Sequence, residues 1–147
     1  MKIGIKLLTK DATIPTKGTT GAAAYDLIVP TKQLVKEGRN IIKLNWAIDL
    51  PKGYCAEIEP RSGYSAKGFA DYDNVRMDCD VAHGLIDEDY KGEVGVIVIN
   101  RDKEFYIGKG QRIAQMLIHK VDETELCETN TLSESERNKG GFGSTGN

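Results

Sequence analysis

No long segment of this 147-residue chain carries an apolar stripe at helical period. That absence constrains the fold more than any other feature. Apolar residues come instead in short runs, many alternating with polar ones, separated by Gly, Pro, Asp and Asn. Residues 3–8 alternate, residues 41–50 alternate loosely, and residues 54–59 alternate until Pro60 stops them. Pro51-Lys52-Gly53 reads as a turn. Residues 104–107 and 112–120 read as two more strands. The run Val94-Gly95-Val96-Ile97-Val98-Ile99, extended to Asn100, is apolar at nearly every position, which predicts a strand buried on both faces. Many short strands joined by turn residues mean an all-β barrel or sandwich. One short helix is expected over residues 62–67, capped by Ser62.

Residues 1–121 read as one β core domain, and the chain length suits a single domain. The composition changes after His119. In residues 122–147 the large apolar groups are Leu126, Leu132 and Phe142, among Glu, Thr, Ser, Asn and Gly. Such a segment buries too little surface to order itself. It is expected to be a flexible C-terminal arm that is held only when something docks it. The net charge of −2 advertises no nucleic-acid surface, though a local cluster of amides and cations suits a small anion. The first eight residues are too short and too alternating for a signal or membrane helix. Cys55, Cys79 and Cys127 have no framework spacing, which fits reduced thiols of the cytoplasm or nucleus. His83 and His119 are far apart in sequence, which argues against a zinc ion held by the protein.

Five stretches carry candidate chemistry. In Gly84-Leu85-Ile86-Asp87-Glu88-Asp89-Tyr90-Lys91-Gly92, acid-rich turn chemistry feeds a rigid strand, a good place to fix Asp87 and Tyr90. Taken alone, it reads rather as an ordinary hairpin whose acids form the turn. Arg137-Asn138-Lys139-Gly140-Gly141-Phe142-Gly143-Ser144-Thr145-Gly146 combines amides that can converge on phosphate oxygens, two hydroxyl donors and a bidentate cation. Phe142 has no local apolar partner and suits a flat surface such as a nucleobase. Taken alone, it is equally a glycine-rich tail. Pro60-Arg61-Ser62-Gly63 offers a cation, a hydroxyl and helix-start amides, or a plain strand-to-helix turn. Gln115 sits inside an apolar strand, so its amide points outward or has a buried partner. Asp26 follows the small residues Gly21 to Ala24, which permit close backbone approach.

In this order the five stretches resemble the five motifs of the homotrimeric dUTPase family. Ala24-Tyr25-Asp26-Leu27 is similar to the first and Pro60-Arg61-Ser62-Gly63 to the second. Gly84 to Gly92 is similar to the third, Gly110 to Gln115 to the fourth, and Arg137 to Gly146 to the fifth. The resemblance spans nearly the whole chain. Val81 departs from the Asn of many members, and Asp80-Val81 resembles the eukaryotic-type ones. Tyr64 and Ser65 stand where Leu and Ala are usual, and Asn138 replaces a glycine. Residues 71–78 are additional.

The resemblance implies a dUTPase-like, jelly-roll-type β-barrel subunit in a homotrimer. Its active sites are shared among subunits, and the arm crosses over. The implied reaction is hydrolysis of dUTP to dUMP and pyrophosphate, with Mg²⁺ held mainly by substrate phosphates rather than directly by protein. Asp87 is the implied general base, since an ordinary aspartate is ionised at pH 7. Arg61, Ser62, Gly63 and Gln115 are the implied phosphate or water ligands, and Asp26 supports a neighbouring cation or a metal-bound water. Tyr90 is expected against deoxyribose. Main-chain groups from Val81 to Leu85 are expected on the uracil edge, with Ile86 beside them. Phe142, Gly143, Ser144, Thr145 and Arg137 are expected to close over base and phosphates. The alternatives are a dCTP deaminase of related fold and a nucleotide-sensing protein without turnover.

Overall fold

The computed structural model describes residues 1–135. In chain order the strands are β1 (Gly4–Leu7), β2 (Tyr25–Ile28), β3 (Gln33–Val35), β4 (Gly38–Lys43), β5 (Trp46–Asp49) and β6 (Tyr54–Glu59). A single helix, α1 (Ser62–Lys67), is followed by β7 (Phe69–Ala70), β8 (Arg76–Met77), β9 (Cys79–Val81) and β10 (Gly84–Ile86). The last three are β11 (Gly95–Asn100), β12 (Phe105–Ile107) and β13 (Arg112–Lys120). No helix of the described residues is long and apolar enough to cross a membrane.

Two sheets carry the core. One has the order β10-β6-β13-β2 and the other β4-β11-β9, with every neighbouring pair antiparallel. Three two-stranded ladders, β1-β5, β12-β3 and β7-β8, complete the jelly-roll-like subunit. The sheets do not close into a barrel, so of the two all-β architectures the layered one is realised. The alternation read from the sequence sets the packing: Ala56 and Ile58 from β6 meet Ile42, Val96, Val98 and Val81 from the other sheet in one core, together with Trp46 and Leu27.

Three local expectations need correction. Residues 41–50 do not form one strand. Leu44 and Asn45 break the run, with Asn45 at φ 58°, and the chain crosses there from β4 to β5. Asparagine tolerates this left-handed turn, and Glu93 Oε1 accepts its amide hydrogen bond at 3.2 Å. The N-cap of α1 is Arg61 rather than Ser62, and it makes no side-chain cap bond. Finally, β11 is not buried on both faces of the chain. Val94, Val96 and Val98 point into the core, while Ile97 lies on the other face beside Ile41, which is 71% exposed.

The additional residues 71–78 form the turn of the β7-β8 hairpin and its return strand. Asp71 Oδ1 accepts amide hydrogen bonds from Asp73 and Val75 at 2.9 and 2.7 Å, an Asx-type turn. Tyr72 N donates to Tyr106 O at 2.7 Å, which ties the hairpin to β12. Lys32 Nζ lies over both the Tyr72 and Tyr106 rings, at 4.6 and 4.5 Å. Gly68 enters the hairpin at φ +73°, where a Cβ would lie 2.6 Å from Met77 O, so the close approach requires glycine. Regular structure ends at Lys120, and residues 121–135 are all exposed.

Candidate active site

The alternation of β2, β6 and β13 places Asp26, Glu59 and Gln115 in register across three strands. Arg61 follows where Pro60 ends β6. Here the chain builds a cleft of about 530 Å³, lined by Asp26, Arg61, Ser62, Gly63 and Gln115. Five of the expected site residues therefore meet in one place. Asp26 organises it. Its Oδ1 pairs with Arg61 Nε at 3.1 Å and its Oδ2 with Arg112 Nη1 at 3.3 Å. Arg61 Nη1 also donates to Arg112 O at 3.1 Å. Asp26 thus pairs with two cations of the cleft. Gln115 lines the cleft and donates through Nε2 to Pro60 O at 3.0 Å, so its amide has a partner and its position is fixed.

Sequence reading missed three cations of this cleft: Lys67, Arg76 and Arg112 also line it. Arg112 was legible in principle, since it lies in the fourth stretch. Arg76 was not, because it comes from the additional hairpin, whose path the sequence does not reveal. Its Nη1 donates to Gly68 O at 3.3 Å. Four cations thus surround one carboxylate, whose two oxygens are already committed to arginines. The protein's net charge is negative, yet the cleft is locally positive. It suits a polyanion and offers no carboxylate cage for a bare divalent cation.

The second group of expected residues lies elsewhere. β9 and β10 are edge strands of different sheets. Val81 and Ile86 turn their side chains into the core, so only their main-chain groups face outward, while Leu85 is exposed. Asp87 follows β10 directly and is exposed. Tyr90 N donates to Asp87 O at 3.2 Å, and Tyr90 Oη donates to Glu93 O at 2.9 Å. The Tyr90 ring packs so closely on Gly92 that a Cβ there would lie 2.7 Å from Cζ. Lys91 Nζ bonds Glu88 O at 2.7 Å and Asp49 Oδ1 at 2.8 Å, and Glu88 accepts from Gly53 N. The loop carrying Asp87 is thereby held on several sides.

Within one chain Asp87 lies apart from the cleft, whereas Val81 lines a small pocket with Pro60, Tyr64 and Ser65. Ile86 pairs with Ala56 in antiparallel register, so Asp87 lies beside the start of β6, whereas Arg61 lies past its end. Six residues of extended chain separate those levels, roughly 20 Å. Arg137, Phe142, Gly143, Ser144 and Thr145 fall outside the described residues.

A family model described as dUTPase matches residues 10–146. The chain is 43% identical to the deoxyuridine 5'-triphosphate nucleotidohydrolase of Hydrogenobaculum sp. (strain Y04AAS1), with 99% of each chain covered. Among solved structures it is similar to the dUTPase of Staphylococcus bacteriophage 80alpha with dUPNHPP. The TM-score there is 0.84 at 26% identity, covering 99% of this chain and 98% of that one. A mutant dUTPase of phage phi11 of S. aureus, solved with details of the coordination of a structural Mg(II) ion, shares the fold at TM-score 0.76 and 21% identity. That match covers 89% of this chain and 98% of the other.

Proposed function

The chain belongs to the dUTPase family, and from that membership we infer that it hydrolyses dUTP to dUMP and pyrophosphate. This reaction keeps uracil out of DNA and supplies dUMP for thymidylate synthesis. The observation that carries the reading to the residues is the cationic cleft built on the Asp26 bridge between Arg61 and Arg112. A triphosphate is a polyanion whose charge these cations complement, and guanidinium groups can hold its oxygens in bidentate fashion.

Asp87 takes a proton from a water whose oxygen attacks the α-phosphorus in line. The bond from that phosphorus to the bridging oxygen breaks, and pyrophosphate leaves. Arg61, Ser62, Gly63 and Gln115 hold the phosphates or order the water. Asp26 is a positioning residue that holds the two arginines. The outer main-chain edges of β9 and β10, from Val81 to Leu85 with Ile86 beside them, pair with the uracil edge and leave cytosine unpaired. The Tyr90 ring, fixed against Gly92, covers deoxyribose and leaves no room for a 2′-hydroxyl. A Mg²⁺ ion would be held mainly by the substrate's phosphate oxygens and would supply charge neutralisation there, since the cleft offers cations rather than metal ligands.

The separation of Asp87 from the cleft supports a homotrimer in which the two halves come from different chains. The open face bearing Ile41 and Ile97 supports it too, because burying one such side chain contributes about 1.5–3 kcal/mol. Residues 122–147 act as the arm that crosses to a neighbouring site. There Phe142 covers the base, and Arg137, Gly143, Ser144 and Thr145 reach the phosphates. The three cysteines are free, which fits the cytoplasm or nucleus, including that of a host cell.

Pyrophosphate release from dUTP, dCTP, dTTP and UTP, with and without Mg²⁺, tests the reading. Turnover of dUTP alone, and only with the metal, is expected. Ammonia release from dCTP, or binding of dUTP without turnover, would replace it with one of the two alternatives. Arg76 gives a finer test. Arg76→Ala is expected to raise KM for dUTP about fivefold with little change in kcat, because an exposed charge contact contributes up to about 1 kcal/mol. An unchanged KM would remove the additional hairpin from substrate binding.

A further inference from the structure

We propose that Glu57, Glu59 and His83, with His119 beside them, form a binding site for a divalent first-row transition metal, Zn²⁺ foremost, on the outer face of the β10-β6-β13 sheet. The separation of the two histidines in sequence argues against such a site, but strand register brings them together. Glu57 and Glu59 are two residues apart on β6 and share a face. His83 stands one step beyond the Gly84–Ile58 pair, opposite Glu59. His119 pairs with Cys55, diagonal to Glu57. Of the two histidines of the chain, His83 thus faces both carboxylates and His119 faces Glu57.

The spacing is that of ligands around a small ion. One donor atom from each of Glu57, Glu59 and His83 lies within 4.8 Å of the other two. His83 Nε2 is 3.5 Å from Glu59 Oε1 and 3.9 Å from Glu57 Oε2, and His119 Nε2 is 3.5 Å from Glu57 Oε2. Zinc bonds of about 2.0–2.1 Å in a tetrahedron set neighbouring donors roughly 3.4 Å apart. An N–H···O hydrogen bond is shorter, about 2.7–3.2 Å, so these atoms face one another across a gap.

Charge leads to the same place. Two carboxylates stand side by side on one strand, and among the described residues no lysine or arginine pairs with either. A divalent cation neutralises both. Mixed imidazole and carboxylate donors select zinc-like ions over Mg²⁺, which takes an oxygen octahedron. None of the four residues lines the arginine cleft, so the site stands whether or not the hydrolase reading does.

The test uses the full chain, stripped with a chelator and dialysed free of nucleotide, and titrated with ZnCl₂ by calorimetry. One Zn²⁺ per chain is expected. Glu57→Gln and Glu59→Gln, each checked by circular dichroism for unchanged unfolding, are each expected to weaken binding about tenfold or more. Co²⁺ in place of Zn²⁺ is expected to give the strong visible absorption of a four-coordinate ion without a thiolate-to-metal band. Absence of stoichiometric binding, or undiminished affinity in both variants, overturns the assignment. A thiolate band also overturns it, by moving the ion to a cysteine such as Cys55.

Discussion

Asp87→Asn leaves dUTP binding in place and lowers turnover by several orders of magnitude. Loss of a positioned general base alone accounts for on the order of 10²–10⁴-fold. Asparagine fills the same volume and can still orient a water, but it cannot accept that water's proton. The substitution should not disturb the fold, because Asp87 is exposed. Its loop is held by bonds to other groups: Tyr90 Oη to Glu93 O, Lys91 to Asp49, and Glu88 to Gly53. On the proposed reading, binding energy comes from the cationic cleft and the edge strands, which the change leaves intact. Affinity for a non-hydrolysable dUTP analogue should therefore stay within a few fold while kcat and kcat/KM fall together. Near-normal turnover would take the proton-transfer role from this residue.

Much of the fold was legible because period-two alternation is a property of single strands. The residues 54–59 and 112–120 read from the sequence coincide with β6 and β13. β9 and β10 are only three residues each, too short to show a period, so alternation marks no strand at either place. The division at Asn45 was hidden because it depends on one left-handed residue and a carboxylate from Glu93, far along the chain. The double burial read into residues 94–99 failed for a similar reason. An apolar run reports that both faces avoid water, not that one chain covers both. Within the cleft, Arg61 and Gln115 could be picked out by the chemistry around them. Arg76 reaches it through a hairpin whose path depends on Gly68 and on the tie between Tyr72 and Tyr106. No local pattern encodes that path.

Mixing two impaired variants should restore activity. Asp87→Asn lacks the base but keeps the cleft. On the proposed reading Arg61→Ala keeps the base but loses a phosphate contact, and a hydrogen bond to a charged group is worth about 1.5–3 kcal/mol, so at least roughly tenfold in rate. The Arg61 substitution leaves Asp26 paired with Arg112, so the cleft keeps an ion pair and the chain should still fold. If each site takes Asp87 from one chain and Arg61 from another, random assembly of equal amounts gives an intact pairing in about one quarter of sites, one half times one half. Pyrophosphate release from the refolded or co-expressed mixture should then rise above both parents, towards about one quarter of the unmodified protein. If one chain supplied both residues, every site in the mixture would carry one lesion, and activity would stay at the parents' level. The roughly 20 Å between the start and the end of β6 makes the first outcome the expected one, because no side chain spans that distance.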